Sequence, residues 1–163
     1  MRLERRFDIG DRLEKLHGRP PRERVIQDVE VPIERCGEFL EWFLAHVPIE
    51  PIWLCPLRLP ANPRQDGTPT WPLYPIGQGQ TYVNIGFWSA VPQRREQPEG
   101  GTNRLIERRV NDLGGHKSLY SDAFYSPEEF ADLYGGPTYA LLKRRYDPGS
   151  RLLNLYDKAV RRQ

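Results

Sequence analysis

Sixteen prolines are spread through the 163 residues, roughly double the usual frequency. Each removes a backbone donor and fixes its own φ, so regular elements must be short and separated by extended segments. Glycine adds natural stops at Gly114-Gly115 and Gly135-Gly136. Within those limits the hydrophobic spacing defines six elements. Val25, Ile26, Val29, Val31 and Ile33 predict a first strand with largely alternating faces. Cys36, Phe39, Leu40, Phe43, Leu44 and Val47 then repeat at three and four, the pattern of one buried helix face, until Pro48 ends the run. Ile52, Trp53, Leu54 and Leu57 predict a second strand, and Thr81 to Trp88 a third, the most β-like stretch in the chain.

A helix carrying Leu105, Ile106, Val110 and Leu113 follows, with Thr102 or Asn103 as its expected cap and Gly114-Gly115 as its stop. His116 to Tyr125 reads as a fourth strand. Ser126-Pro127-Glu128-Glu129 is a capping box with proline at the first helical position. The helix it starts pauses at Gly135-Gly136-Pro137 and resumes to Tyr146. The order β-α-β-β-α-β predicts an α+β fold: a ferredoxin-like antiparallel sheet with helices on one face, plus C-terminal helices. Residues 58–80 are rich in proline and glycine and form a long loop, whose Trp71, Leu73, Tyr74 and Ile76 are expected to dock and line a pocket.

Residues 1–24 hold eight Arg/Lys against five Asp/Glu, and residues 25–163 hold sixteen against seventeen. This divides the chain into a basic connector arm, with a short amphipathic helix over residues 2–16, and one α+β domain from residue 25 to 163. So small a surplus argues against a nucleic-acid binder, which needs a concentrated basic face. Cys36 and Cys55 have neither zinc nor disulfide-framework spacing, and a reducing, cytoplasmic setting is expected. The N-terminus lacks the apolar core of a signal peptide and no apolar run reaches spanning length, which leaves peripheral membrane contact open.

The three histidines, His17, His46 and His116, are scattered, so no metal site is expected. Gly77-Gln78-Gly79 precedes a strand and Gly114-Gly115 ends a helix, whereas a dinucleotide loop follows a strand and opens a helix. There is no Walker motif and no GxSxG elbow. The polar strand is the exception. Alternation puts His116, Ser118, Tyr120, Asp122 and Phe124 on one face and Lys117, Leu119, Ser121 and Ala123 on the other. The first set either presents an imidazole, a phenol and a carboxylate to one cavity, or simply meets water or an adjacent domain.

The segments TYVNIGFWSAVP (81–92), GGHKSLYSDAFYSPEEFADLYGGPTYALLKRRYDP (114–148) and RLLNLYDKAV (151–160) closely resemble the C-terminal region of FAD-linked oxidoreductases of the 24-dehydrocholesterol reductase (diminuto) type and their bacterial relatives. The ordered combination LYSD, SPEEF and LYDK carries the likeness, which runs from Val25 onward. The resemblance implies a cap and substrate domain that closes over FAD held mainly by a separate FAD-binding domain or companion chain. Nothing here corresponds to that domain, so the chain alone is expected not to catalyse, and the arm would be its connector. The implied chemistry is hydride transfer through the flavin to an apolar side-chain double bond.

By the same resemblance, Tyr120 becomes the candidate acid, with His116 and Lys117 beside it as further catalytic candidates. Asn84, Asp122 and Asn154 become candidate cofactor contacts, and Tyr156 and Asp157 gain interest with them. The alternative is a free-standing ferredoxin-like module that binds a ligand or partner without redox chemistry, with a homodimer through the exposed sheet as its natural form.

Overall fold

The computed structural model describes residues 22–60, 73–93 and 98–163. Most of the basic arm, its expected helix and Trp71 therefore lie outside the described residues. The elements are strand β1 (Arg22–Pro32), helix α1 (Cys36–His46), strands β2 (Trp53–Arg58) and β3 (Thr81–Pro92), helix α2 (Gly101–Asp112), strand β4 (His116–Lys117), and helices α3 (Pro127–Leu133) and α4 (Gly136–Tyr146). The four strands form one antiparallel sheet in the order β2-β3-β1-β4. With α1 and α2 packed on it, this is the α+β, split-βαβ arrangement expected from the sequence.

β1 and β3 pair over their full length, from Arg22 opposite Pro92 to Pro32 opposite Tyr82, and build the centre of the sheet. Side chains alternate across it. Val25, Val29 and Val31 of β1, with Ile85 and Phe87 of β3, point to the helices and pack on Phe39, Phe43, Ile106 and Val110. Each of these nine is at most 4% exposed, so the core is a single apolar layer between sheet and helices. Leu44, expected on the buried face of α1, is instead 54% exposed, and Ile33 leaves β1 for a short 3-10 turn. Phe39 and Phe43 face the sheet one turn apart, and Leu44 lies past the edge of that stripe.

The start of α2 departs from the expected local cap. Gly100 takes the N-cap position at φ 70° because the Phe124 ring fills the space a Cβ would need, only 2.2 Å away. The first-turn donors go instead to the Glu23 carboxylate of β1, which accepts from the Thr102 amide at 3.0 Å, the Asn103 amide at 2.9 Å and Asn103 Nδ2 at 2.8 Å. A carboxylate here also answers the helix dipole.

The fourth strand is far shorter than expected. Only His116 and Lys117 pair with β1, and after Ser118 donates its amide to the Asp28 carbonyl the chain leaves the sheet. Polar groups beneath draw it away. Lys117 Nζ donates to the Asp122 carbonyl, and the Glu107 carboxylate accepts the Phe124 amide at 3.3 Å. Ala123 and Tyr125 then enter a second cluster with Phe130 and Tyr134. The Ser126 box forms as expected: Ser126 Oγ accepts from the Glu129 amide and the Glu129 carboxylate from the Ser126 amide.

Candidate functional site

The sheet face turned away from α1 and α2 carries the polar and aromatic side chains. Register fixes its rows. Cys55, Asn84, Glu30 and His116 form one, Trp53, Gly86 and Asp28 the next, and Trp88 and Ile26 another. Ser118 extends the Asp28 row through its amide bond, and the chain then carries Tyr120 to the rim. Trp88 is 81% exposed, Trp53 68% and Tyr120 63%. Large aromatics left bare together mark a surface built to be covered.

Gly86 makes the floor between the tryptophans flat. A Cβ there would stand 2.5 Å from Asp28 Oδ1. Ile26, Asp28, Trp53, Gly86, Trp88 and Tyr120 surround a shallow hollow of about 380 Å³. Burial of its inner edge and the negative charge of the adjacent Asp28 carboxylate raise the Tyr120 pKa to about 12, which makes the phenol a weaker acid than a solvated one.

Next to this hollow lies a buried polar row. Glu30 Oε1 accepts from Ser118 Oγ and from Asn84 Nδ2, both at 2.8 Å. Its other oxygen lies 3.5 Å from His116 Nε2. Among the described residues, neither that oxygen nor either ring nitrogen of His116 has a hydrogen-bond partner. Tyr74 and Tyr82 close over His116 edge-on, with centroids at 5.0 and 5.6 Å, and the Tyr74 hydroxyl is 3.5 Å from Ser118 Oγ. Burial lowers the His116 pKa to about 4 and raises that of Glu30. The imidazole is thus neutral at pH 7, and the carboxyl holds its proton more readily than a solvated one.

The sequence candidates therefore divide. His116, Asn84 and Tyr120 share the open face. Lys117 is on the opposite side, fully buried, with Nζ 2.8 Å from Glu107 Oε1. Asp122 does not join His116 as alternation implied, because the strand ends first; its carboxylate pairs with Arg162. Asn154 is farther along the chain, where its Nδ2 donates to Asp157 Oδ2 at 2.7 Å and its Oδ1 accepts the Asp157 amide. Tyr156 packs on Phe130 and donates to the Tyr125 carbonyl. Glu30, Asp28 and the two tryptophans were not singled out by sequence. The signal was present in β1, where Asp28 and Glu30 alternate with the buried Val29 and Val31.

A flat ring suits the hollow, since it would lie between exposed aromatic faces with the Asp28 carboxylate over Gly86 beneath it. The diphosphate of FAD does not. None of the lining residues is cationic, and Asp28 would repel it. The described face fits the ring of a flavin and leaves the rest of the cofactor to be held elsewhere.

Comparison with known proteins agrees with the motif likeness. Over 150 residues, 91% of this chain and 27% of the relative, it is 29% identical to the Delta(24)-sterol reductase of Rattus norvegicus. The chain is similar to sterol reductases. The same description belongs to a Homo sapiens protein, 28% identical over the same shares, and to one from Arabidopsis thaliana, 27% identical over 83% of this chain and 26% of that one. The chain thus spans about a quarter of the length of these relatives. No family model and no solved structure matches it.

Proposed function

We propose that this chain is the cap and substrate portion of an FAD-dependent oxidoreductase that reduces a double bond in an apolar, sterol-like molecule. The observation that carries it is the bare aromatic face, flat at Gly86 and backed by the Glu30–His116 row, in a chain similar to Delta(24)-sterol reductases. FAD, when bound, supplies the hydride that goes to one carbon of the double bond. The other carbon needs a proton.

Tyr120 is the proton donor in this reading. Its phenol stays protonated at neutral pH and stands at the rim of the hollow with Asp28 against its oxygen. Asp28 orients the hydroxyl, and the two tryptophans exclude water from the ring they cover. Glu30, Ser118, Asn84 and Tyr74 fix one another beneath, so the floor keeps its shape when the face is occupied. His116, neutral and buried, supports this floor as a positioning residue.

The test reconstitutes the activity. The chain alone is assayed for bound flavin and for reduction of a sterol side-chain double bond, then again with an FAD-binding chain supplied separately. Reduction only in the mixture, and its loss in Tyr120→Phe, is the expected result. Tight stoichiometric FAD on the chain alone overturns the proposal. The same exposed tryptophans favour a second reading, a non-redox binding module that pairs through this face. A stable homodimer that buries Trp53 and Trp88 and shows no reduction in the mixture would establish that reading instead.

A further inference from the structure

Helices α3 and α4 and the C-terminal turn at Asp157–Arg161 border a second groove, which shares no residue with the hollow of the open sheet face. Spacing puts its lining on one side of each element. Phe130 and Tyr134, at the end of α3, stand four residues apart, Gly136, Ala140 and Arg144 recur at the same interval along α4, and Asp157 and Arg161 meet in the turn. Gly136 lets α4 start close against α3, since a Cβ there would stand 2.8 Å from Ala131 Cβ. The small side chains at Ala131, Gly136 and Ala140 leave open a space of about 490 Å³, within the roughly 300–1,000 Å³ of small-molecule sites.

Aromatic side chains border this space and are already held in place. The Tyr139 hydroxyl accepts the Leu155 amide at 2.8 Å, and the Tyr156 hydroxyl donates to the Tyr125 carbonyl at 3.2 Å. Phe130 is buried and meets the Tyr156 ring edge-on, with centroids 5.4 Å apart. The charges at the border do not balance. Arg161 pairs with Asp157 at 3.1 Å, and Lys143 pairs with Asp147. Arg144 is exposed, and among the described residues it pairs with no carboxylate. One cation is left over beside an apolar space.

We propose that this groove is a binding site for a small apolar monocarboxylate. The body of the ligand lies against Phe130, Tyr139 and Tyr156, and its carboxylate takes the Arg144 guanidinium, whose planar fork matches two oxygens. A neutral apolar ligand would partly cover Arg144 and give it no partner. A phosphate would bring a second negative charge toward Asp157, with no further unpaired cation in the groove to meet it. The site does not depend on the role proposed for the open sheet face.

Naphthalene-2-carboxylate is titrated into the isotopically labelled full chain, with the methyl resonances of Ala131 and Ala140 followed by NMR and the affinity measured by calorimetry. Saturable shifts centred on these two methyls are expected. Naphthalene-2-carboxamide, the same body without the charge, should bind at least about tenfold more weakly. Arg144→Gln, an exposed position whose fold is checked by circular dichroism, brings the acid down to the affinity of the amide. Arg145→Gln, which removes an equal charge from outside the groove, leaves the acid within about twofold of the parent. Ala140→Phe fills the space and abolishes both. Absence of saturable shifts at Ala131 and Ala140, equal binding of acid and amide, an Arg144→Gln variant that keeps the preference for the acid, or a homodimer that occupies the groove each overturns the proposal.

Discussion

Removing the Lys117 ammonium separates a structural lysine from a catalytic one. Lys117 is fully buried, its Nζ is 2.8 Å from Glu107 Oε1, and Glu107 is itself only 2% exposed. Lys117→Met keeps the length of the stem and deletes the charge, leaving Glu107 with the Phe124 amide at 3.3 Å as its hydrogen-bond partner. Breaking a buried pair from one side costs about 3–5 kcal/mol, a large part of the 5–15 kcal/mol typical of a domain. At this size each kcal/mol lowers the melting temperature by about 2–4 °C, so a fall of roughly 6–20 °C is expected. Adding Glu107→Leu removes the stranded carboxylate, and the double variant should recover to within about 1–2 kcal/mol of the parent. Urea and thermal unfolding at pH 7, completed as a double-mutant cycle, measure this. A single variant that costs less than about 1 kcal/mol, with a double variant no better, would refute the buried pair and return Lys117 to the list of free functional groups.

Three further outcomes follow from the same geometry. His116, held near pKa 4 against 6.5 in the unfolded chain, makes the unfolded state bind the extra proton as pH falls from about 6.5 to about 4; stability worth about 3 kcal/mol is lost across that window. Glu30 and Glu107, both raised, act in the opposite direction, so the test is the difference between the parent and His116→Phe, and parallel pH curves would contradict it. Gly86→Ala puts a Cβ against the Asp28 carboxylate and pushes it off Tyr120. The Tyr120 phenol, titrated by ultraviolet absorbance, should then ionise below its present value of about 12, and an unchanged titration counts against the Asp28 contact. Glu23→Gln weakens the distant cap on α2 by about 1–2 kcal/mol in urea unfolding, and a cost near zero would mean that the Glu23 contacts contribute little.

What could be read in the sequence is what local rules govern. Phe39 and Phe43 of α1, the Ser126 capping box and the stop at Gly114 depend on near neighbours, and each is found where expected, although Leu44 of the same stripe is exposed. Alternation along β1 placed Val25, Val29 and Val31 in the apolar layer, while Ile26 turned to the open face and Ile33 left the strand. The missed features depend on partners far along the chain. Glu23 caps a helix some 80 residues later, a relation that no local motif records. The strand expected from His116 to Tyr125 stops after Lys117 because Glu107 and Lys117 capture the following backbone from below, which separates Asp122 from His116. The likeness to flavin-linked reductases directed attention to LYSD, yet the more telling residues, Glu30, Asp28, Trp53 and Trp88, lie in strands that only the sheet brings beside it.

The most direct test of the proposed role maps a flavin onto the isotopically labelled chain. Riboflavin, which carries the ring without the diphosphate, is titrated while backbone and tryptophan indole resonances are followed by NMR. The account predicts weak, saturable shifts confined to the open face around Ile26, Asp28, Gly86, Trp53, Trp88 and Tyr120, with FAD binding no tighter. Shifts centred on the helix side of the sheet, the absence of any shift at Trp53 and Trp88, or much tighter binding of FAD than of riboflavin would contradict it.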